Sequence, residues 1–176
     1  MQTRVEMQHL MGLPLEEIYA SMSGGEAPHM VESHRAFQRE NLHLSVAFPG
    51  AGEVLDTLKQ AGIALAAVTS RSRRTSVLTL ELAGLAGYFG AIVSAEDAPA
   101  LKPDPAPLRH ALALLGRTAA GAVMVGDTAH DIEAGRALGL LTIAATYGFH
   151  GEAVRDAAPD HAIGAITELP GVVLGF

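Results

Sequence analysis

The chain has 176 residues, of which 49% are hydrophobic, 18% are charged and none is cysteine, and its formal net charge is −7. This composition predicts one packed domain, or one domain with a small appendage, rather than disorder. The lack of cysteine excludes a disulfide scaffold, a thiolate zinc site and a cysteine nucleophile. The acidic balance argues against nucleic acid as a partner. No apolar run reaches membrane-spanning length and no signal-peptide pattern opens the chain, so we expect a cytoplasmic protein with no membrane association.

Residues 1–47 differ in composition from the rest of the chain. They are rich in Met, His and Glu and show no convincing strand pattern. The spacing of their apolar residues predicts short helices over 3–11 and 14–22, separated by a Gly-Leu-Pro turn, and a longer helix over 29–41. This part of the chain is therefore expected to be a small helical unit.

From Phe48 onward, short apolar runs alternate with amphipathic segments. The apolar runs predict buried strands, because the strands of a parallel sheet are covered on both faces. We expect strands over 63–68, 91–94, 123–125, 141–144 and 162–163, and helices over 52–60, 74–86, 106–115 and 130–138. Strands that alternate with helices predict the α/β class, here a three-layer, doubly wound and mostly parallel sheet.

The stretch most informative about function is GAVMVGDTAHDIEAGR, residues 121–136. A predicted strand ends there at Gly126 and Asp127, and a second acid, Asp131, follows one helical turn later. Two carboxylates at the carboxyl end of a parallel strand can hold a hard divalent cation. The alternative is that they only cap the next helix and interact with its dipole.

Two other positions at the same predicted sheet edge suit phosphate. Thr69 and Ser70 follow a predicted strand, where a hydroxyl and free backbone N–H groups can bind an oxyanion. The alternative there is a helix N-cap. Lys102 precedes a rigid Pro-Asp-Pro loop, from which its ammonium can neutralise phosphate charge, and the alternative is a solvated lysine.

Taken in order, these residues resemble motifs two, three and four of the haloacid dehalogenase-like (HAD) hydrolase superfamily, and in particular its phosphoglycolate phosphatase-like branch. The resemblance extends over residues 48–150. It implies a HAD-like Rossmannoid core over 48–176 and a partial helical cap over 1–47. It also implies that the protein is an enzyme by family, a hydrolase acting as a phosphatase.

The chemistry implied by the resemblance is phosphoryl transfer to an enzyme aspartate followed by hydrolysis, with Mg²⁺ as cofactor and a small phosphorylated metabolite as substrate. Thr69 and Lys102 would be the catalytic and phosphate-binding side chains, and Ser70 would assist through its backbone N–H. Asp127 would bind the metal directly. Asp131 would support the metal through water or would hold Lys102. The identity of the substrate and the oligomeric state stay open.

The family's first motif, a strand ending in Asp-x-Asp-x-Thr, does not occur in this sequence, whose first aspartate is Asp56. The core would therefore lack its first strand, the nucleophile and the acid/base. One explanation is an N-terminally shortened phosphatase that is inactive as given. The other is a non-catalytic protein that keeps the pocket for phosphate or partner binding. The apolar run over 171–176 is the only spare segment that could replace the strand.

Two further features stand close to these motifs. Arg71, Arg73 and Arg74 follow the Thr-Ser pair and can attract an anionic substrate, with a solvated helix face as the alternative. The loop over 147–150 lies near the active site in the resembled branch, which implies either substrate contact or simple loop packing.

Overall fold

The structure is a computed structural model that describes Leu13 and residues 15–175. The helices are α1 (Leu15–Ser23), α2 (Pro28–Glu40), α3 (Ala51–Gln60), α4 (Arg73–Leu82), α5 (Ala106–Leu114), α6 (Ala129–Ala137) and α7 (Leu169–Val173). The strands are β1 (Ala66–Val68), β2 (Ala91–Val93), β3 (Val123–Gly126), β4 (Leu141–Ala145) and β5 (His161–Ile163). No helix in this part of the chain is long and apolar enough to cross a membrane.

The strands form two separate parallel sheets. In the first, β1 pairs with β2, and Ala67 lies opposite Ile92. In the second, β4 is central, with β3 on one side and β5 on the other. Helices connect the successive parallel strands, as the predicted alternation of strands and helices requires.

Both sheets lie between the same two layers of helices. On one face, Leu65 at the start of β1 and Val125 of β3 pack against one core cluster, whose buried members are Val54, Leu58, Ile143, Ile163 and Leu169. On the other face, Val68 and Ala122 pack against a second cluster, formed by Leu108, Met124, Ala134 and Leu140. The two sheets are therefore parts of one layer, covered by α3 and α7 on one side and by α5 and α6 on the other.

The helices of the N-terminal region pack against each other. Ile18 of α1 and Val31 of α2 are both buried. The hydroxyl of Tyr19 lies 2.8 Å from Nδ1 of His34, which ties the same two helices together through a polar contact. The predicted helix over 3–11 lies outside the described residues. The division of the chain into a partial helical cap over 1–47 and a core over 48–176 stays a prediction.

Three elements differ from the sequence-based expectation. The strand expected over 63–68 begins only at Ala66, because its one partner, β2, is three residues long. The helix expected over 74–86 ends at Leu82, and Gly84 follows with a φ of 69°. The apolar run near the C-terminus does not form a replacement strand, since α7 is a helix that packs its apolar residues against α3.

Candidate functional site

One lysine side chain connects the two sheets at their carboxyl ends. Nζ of Lys102 donates to the carbonyl of Val68, the last residue of β1, at 3.0 Å. The same ammonium lies 2.6 Å from Oδ1 of Asp131, which stands just beyond the end of β3. The side chains of Lys102 and Asp131 are only 11% and 7% exposed, so the lysine is not solvated. The loop therefore directs its ammonium inward, and the peptide bond between Lys102 and Pro103 is cis.

Asp131 also takes part in the N-terminal capping box of α6. Thr128 is the N-cap of that helix, and its hydroxyl accepts a hydrogen bond from the backbone N–H of Asp131. Oδ2 of Asp131 in turn accepts from the backbone N–H and the hydroxyl of Thr128, at 3.1 and 2.8 Å. This reciprocal capping box fixes the carboxylate, and Gly126 leaves the room for it, because a Cβ there would overlap Asp131. The two proposed roles, cap and charge partner of Lys102, are both present.

Thr69 and Ser70 lie at the end of β1 and do not cap a helix. The N-cap of α4 is Ser72, whose side chain accepts from the backbone N–H of Thr75. The Thr69 hydroxyl accepts from the backbone N–H of Arg71 at 3.2 Å. Thr69 directly follows Val68, whose carbonyl accepts from Lys102. The structure thus removes the capping alternative for Thr69 and Ser70.

Asp127 is held by the loop that follows β4. Its Oδ2 accepts from the backbone N–H of Phe149 at 2.7 Å. A Cβ on Gly148 would overlap the Asp127 side chain, so the close approach of this loop requires glycine. Burial is the main cause that raises the pKa of Tyr147, and the negative charge of Asp127 raises it further. No described residue donates to Oδ1 of Asp127, which leaves that oxygen free to bind a ligand.

The three arginines after the Thr-Ser pair have different environments. Arg73 pairs with Asp97 at 2.7 Å, and Arg74 is exposed. Arg71 is half-buried and has no ion pair with any residue between 15 and 175. Burial lowers the pKa of the Arg71 guanidinium, and burial together with the charge of Arg71 lowers the pKa of His34 on α2. Among residues 15–175, Arg71 is therefore a cation without an ion pair, close to His34 of the N-terminal helices.

The two acids of this edge, Asp127 and Asp131, could hold a magnesium ion only if water and substrate supply most of its ligands. Among the described residues, no three His, Asp or Glu side chains form a metal cage. Both oxygens of Asp131 already have protein partners, whereas Oδ1 of Asp127 accepts from none of the described residues. Magnesium commonly binds through one or two carboxylates and completes its shell with water and substrate phosphate. The residues present fit such an ion at Asp127.

The structure brings Lys102 to Asp131 and places Asp127 at the end of β3, and three further groups that the sequence-based predictions did not include contact the two acids. The Phe149 backbone N–H, the space at Gly148 and the capping hydroxyl of Thr128 act on Asp127 and Asp131. Only the Thr-x-x-Asp spacing of the capping box carried a signal in the sequence. Near these groups, His130 has a buried Nδ1 that has no hydrogen-bond partner in the part of the chain that is described.

Curated relatives of this chain are named as phosphatases. Pyrophosphatase PpaX of Bacillus velezensis is 33% identical over 168 residues, which are 94% of this chain and 78% of the relative. A plasmid-encoded phosphoglycolate phosphatase of Cupriavidus necator is 41% identical over 118 residues, 67% of this chain and 51% of the relative. The chain thus spans about half of the length of the second relative.

Solved structures share the same fold. A predicted phosphoglycolate phosphatase from Haemophilus somnus superposes with a TM-score of 0.83 at 20% identity, covering 98% of this chain and 82% of that one. CbbY from Rhodobacter sphaeroides, solved in complex with phosphate, superposes with a TM-score of 0.81 at 25% identity, covering 99% of this chain and 84% of that one. The expected α/β fold of parallel strands and covering helices is confirmed.

The family assignment rests on most of the chain. The profile of the haloacid dehalogenase-like hydrolases matches residues 1–145, which include Thr69, Lys102, Asp127 and Asp131. The relatives are phosphatases by name and the family is one of hydrolases, so the resemblance drawn from the sequence motifs is confirmed. The chain belongs to the haloacid dehalogenase-like hydrolase family.

Proposed function

We propose that the site of this chain serves the Mg²⁺-dependent hydrolysis of small phosphate monoesters, and that residues 1–176 supply the phosphate-binding and metal-binding part of that chemistry. The observation that carries the proposal is the position of the Lys102 ammonium, which is nearly buried at the carboxyl ends of both sheets and is fixed by Asp131. A positive charge held rigidly at that edge, at the strand end that Thr69 follows, suits the charge that develops on a transferring phosphoryl group.

The proposal gives each residue of this edge a role toward phosphate. Thr69 would donate its hydroxyl to a phosphoryl oxygen, and Ser70 would donate its backbone N–H. Lys102 would neutralise phosphate charge without reorganising, because Asp131 and the Val68 carbonyl already hold the ammonium in place. Asp131 would act through Lys102, since both of its oxygens are engaged.

The proposed metal site is Asp127, with Asp131 as its support. Oδ1 of Asp127, which has no donor among the described residues, supports this assignment, and the Phe149 N–H and the space at Gly148 keep the carboxylate in position. Bound there, Mg²⁺ would reduce the negative charge on the phosphate. Thr69, Ser70 and Lys102 would bind and orient the phosphate beside the ion and neutralise part of its charge.

The substrate that we propose carries a second anionic group besides its reacting phosphate. One relative is named a pyrophosphatase and another a phosphoglycolate phosphatase, and both of those substrates fit this description. Arg71 lies two residues beyond Thr69, and its half-buried guanidinium has no ion pair in the part of the chain that is described, which supports the same class. An arginine is well suited to bind a phosphate or a carboxylate through two parallel hydrogen bonds. Such substrates are small phosphorylated metabolites, which we expect the protein to meet in the cytoplasm.

We further propose that residues 1–176 bind phosphate but do not hydrolyse phosphate esters by themselves. Among the described residues, no third carboxylate forms a cluster with Asp127 and Asp131. Covalent phosphoryl transfer needs such a nucleophile. A shortened phosphatase and a non-catalytic phosphate-binding protein both account for this arrangement.

The direct test is turnover of a chromogenic phosphomonoester, such as 4-nitrophenyl phosphate, with Mg²⁺ and with excess chelator. We expect no Mg²⁺-dependent release of nitrophenol, while inorganic phosphate competes for binding in a parallel titration. Robust Mg²⁺-dependent turnover would contradict the claim of inactivity. Absence of phosphate binding would contradict the assignment of the site. Phosphate binding without turnover, in a chain whose reading frame has no Asp-x-Asp-x-Thr upstream of Met1, would favour the non-catalytic protein.

A further inference from the structure

The segment that joins the N-terminal helices to α3 has a fixed direction where it enters the core. Phe48 precedes Pro49, and a residue before proline is restricted to an extended backbone. Pro49 and Gly50 form a turn, with a φ of 81° at Gly50 and a hydrogen bond of 3.0 Å from the Ala51 N–H to the Phe48 carbonyl. A Cβ at Gly50 would overlap the Thr167 side chain, so the turn packs closely against the core. The position of Phe48 is therefore set by this turn and by α3.

The ring of Phe48 contacts the loop that follows β4. Its centroid lies 4.8 Å from the ring centroid of Tyr147, and the interplanar angle is 81°. This is the edge-to-face arrangement that aromatic pairs prefer. Phe48 is 51% exposed, whereas Val46, two residues earlier in the same segment, is 85% exposed. Phe48 is therefore the point at which an otherwise exposed segment contacts the loop after β4.

Tyr147 is fixed in a short, closed turn. Its ring packs against the same core cluster as α3 and α7. The residue before it, Thr146, donates its N–H to the Ile163 carbonyl at 3.0 Å, and the residue after it, Gly148, donates to the Ala145 carbonyl at 3.1 Å. Because the turn is so short, a displacement of the Tyr147 ring must also move the peptide groups next to it.

Those peptide groups hold the carboxylate of Asp127. The Phe149 N–H donates to Oδ2 of Asp127 at 2.7 Å, and Gly148 lies so close that a Cβ there would overlap the same side chain. Burial and, after it, the charge of Asp127 raise the pKa of Tyr147, so the ring also lies within the field of the carboxylate. A continuous set of contacts therefore leads from Phe48 through Tyr147 to Asp127.

The size of the aromatic contact suits such a role. One edge-to-face pair corresponds to a factor of about 2 to about 12 in an equilibrium constant. A magnesium ion requires a nearly ideal octahedral arrangement of its ligands, so its affinity depends strongly on the position of each protein carboxylate. A modest loss of order in the loop after β4 is therefore expected to appear in Mg²⁺ binding at Asp127.

We propose that Phe48 is a positioning residue for the metal-binding carboxylate of Asp127 and acts through Tyr147. The proposal rests on the assignment of the ion to Asp127 in the proposed function. The Phe48 ring holds Tyr147 in place, and with it the Phe149 N–H that orients the carboxylate. Phe48 needs no contact with the ion or with phosphate. The segment between the N-terminal helices and α3 thereby sets the affinity of the metal site.

The first test measures Mg²⁺ binding to variants of the whole chain by calorimetry in the presence of phosphate. Phe48→Leu keeps an apolar side chain but removes the ring, and we expect about fivefold weaker binding of Mg²⁺. Phe48→Tyr keeps the ring and should restore the affinity of the parent chain. Phe37→Ala, which removes a 65% exposed ring on α2, is the matched control and should bind like the parent. Parent-like affinity in Phe48→Leu would overturn the proposal.

The second test follows the position of Phe149 without any metal. In excess chelator, we expect the Phe149 amide to exchange its hydrogen about fivefold faster in Phe48→Leu than in the parent chain. The Thr69 amide, which donates to the Val93 carbonyl at 2.9 Å in the other sheet, should exchange at the parent's rate. An unchanged Phe149 amide, or equal acceleration at both amides from a general loss of stability, would overturn the proposal.

A double-mutant cycle tests whether the effect passes through Tyr147. Once Tyr147→Leu has removed the second ring, Phe48→Leu should cause no further loss of Mg²⁺ affinity or of exchange protection at Phe149. Additive losses would overturn the route through Tyr147. If the parent chain binds no Mg²⁺, the proposed function fails, and the exchange of the Phe149 amide still decides whether Phe48 positions the loop.

Discussion

Lys102 and Asp131 form a nearly buried ion pair, 2.6 Å between Nζ and Oδ1, that spans the gap between the two sheets of this protein. The lysine reaches the end of β1 through the Val68 carbonyl, and the aspartate is fixed at the end of β3 by Thr128. A buried pair of this kind tolerates the loss of either partner poorly, because the other charge is left without compensation. The pair therefore makes the layer sensitive to the loss of either residue and fixes the Lys102 ammonium at the carboxyl ends of both sheets.

Replacing Lys102 by Met should destabilise the protein. The substitution keeps the apolar part of the side chain but leaves the Asp131 carboxylate buried without its cation. We expect a loss of about 3 kcal/mol in the free energy of unfolding, measured by urea denaturation at pH 7. The matched control is Lys59→Met, whose exposed ammonium contacts the Gly87 carbonyl and should account for less than about 1 kcal/mol. Equal losses in the two variants would contradict the structural role of the buried pair.

Replacing Asp127 by Asn should weaken magnesium binding with little effect on folding. The amide oxygen can still accept from the Phe149 N–H, but the negative charge that attracts the ion is gone. We expect at least a tenfold loss of Mg²⁺ affinity in calorimetric titration in the presence of phosphate, about the effect of one lost ligand charge. Asp156→Asn, at an exposed position, serves as the control and should bind Mg²⁺ like the parent chain. Unchanged affinity in D127N would exclude Asp127 as the ligand.

A methyl group at position 148 should displace Asp127. The Cβ of Gly148→Ala would overlap the Asp127 side chain, so either the loop after β4 or the carboxylate must move. We expect a lower Tm and weaker Mg²⁺ binding in the same variant. Gly87→Ala, where no heavy atom lies within 4 Å of the added Cβ, is the comparison. If the Gly148 variant binds Mg²⁺ with full affinity, the position of Asp127 does not depend on the loop.

Asp97 should make the stability of the loop after β2 depend on pH. Although burial acts to raise the pKa of this carboxyl, hydrogen bonds from Ser94 and Arg73 lower it from 3.8 to about 2. A carboxyl whose pKa is lower in the folded state contributes its stability fully above the unfolded pKa and loses it as the pH falls from about 4 to about 2.

Urea denaturation of the parent chain and of Asp97→Asn checks this expectation. At pH 7 we expect the variant to be less stable by about 1 to 2 kcal/mol, allowing for partial exposure of Arg73. The difference should shrink as the pH approaches 2. A difference that is independent of pH would show that the aspartate acts through packing alone.

Replacing Arg71 by Ala should affect substrates with two anionic groups selectively. If the guanidinium binds the second group, pyrophosphate should lose at least about tenfold in affinity, the magnitude of a charge-assisted hydrogen bond, whereas inorganic phosphate should change little. Arg74→Ala, at an exposed position on α4 three residues further along the chain, is the control. Equal weakening of both ligands in R71A would assign Arg71 to general attraction of anions instead.

Much of the site could be predicted because it depends on local spacing. The acids at Asp127 and Asp131 stand one helical turn apart, and the lysine sits on a loop with few conformations, so strand order placed all three at one edge. The contribution of the loop after β4 was harder to foresee. The Phe149 N–H and the space at Gly148 depend on how that loop folds back over Asp127, a tertiary contact that no local pattern encodes.

Two elements that differ from the expectation, the strand β1 and the C-terminal helix α7, are also set by residues distant in the sequence. The run over 63–68 is apolar enough for a longer strand, but its length is set by the three paired residues of β2. The run near the C-terminus could be a strand or a helix by composition. The spacing of Leu169, Val172 and Val173 allows all three to pack on one core cluster, and the helix forms there.

The most direct test of the proposed function is a calorimetric titration of inorganic phosphate into the chain, with Mg²⁺ and again with excess chelator. We predict saturable binding that weakens at least about tenfold when the metal is removed, because the ion and Lys102 share the neutralisation of the phosphate charge. In Lys102→Met, which lacks the ammonium, binding should be lost even with Mg²⁺ present. Equal phosphate binding in the parent chain and in this variant, or binding indifferent to Mg²⁺, would contradict the proposed phosphate and metal site.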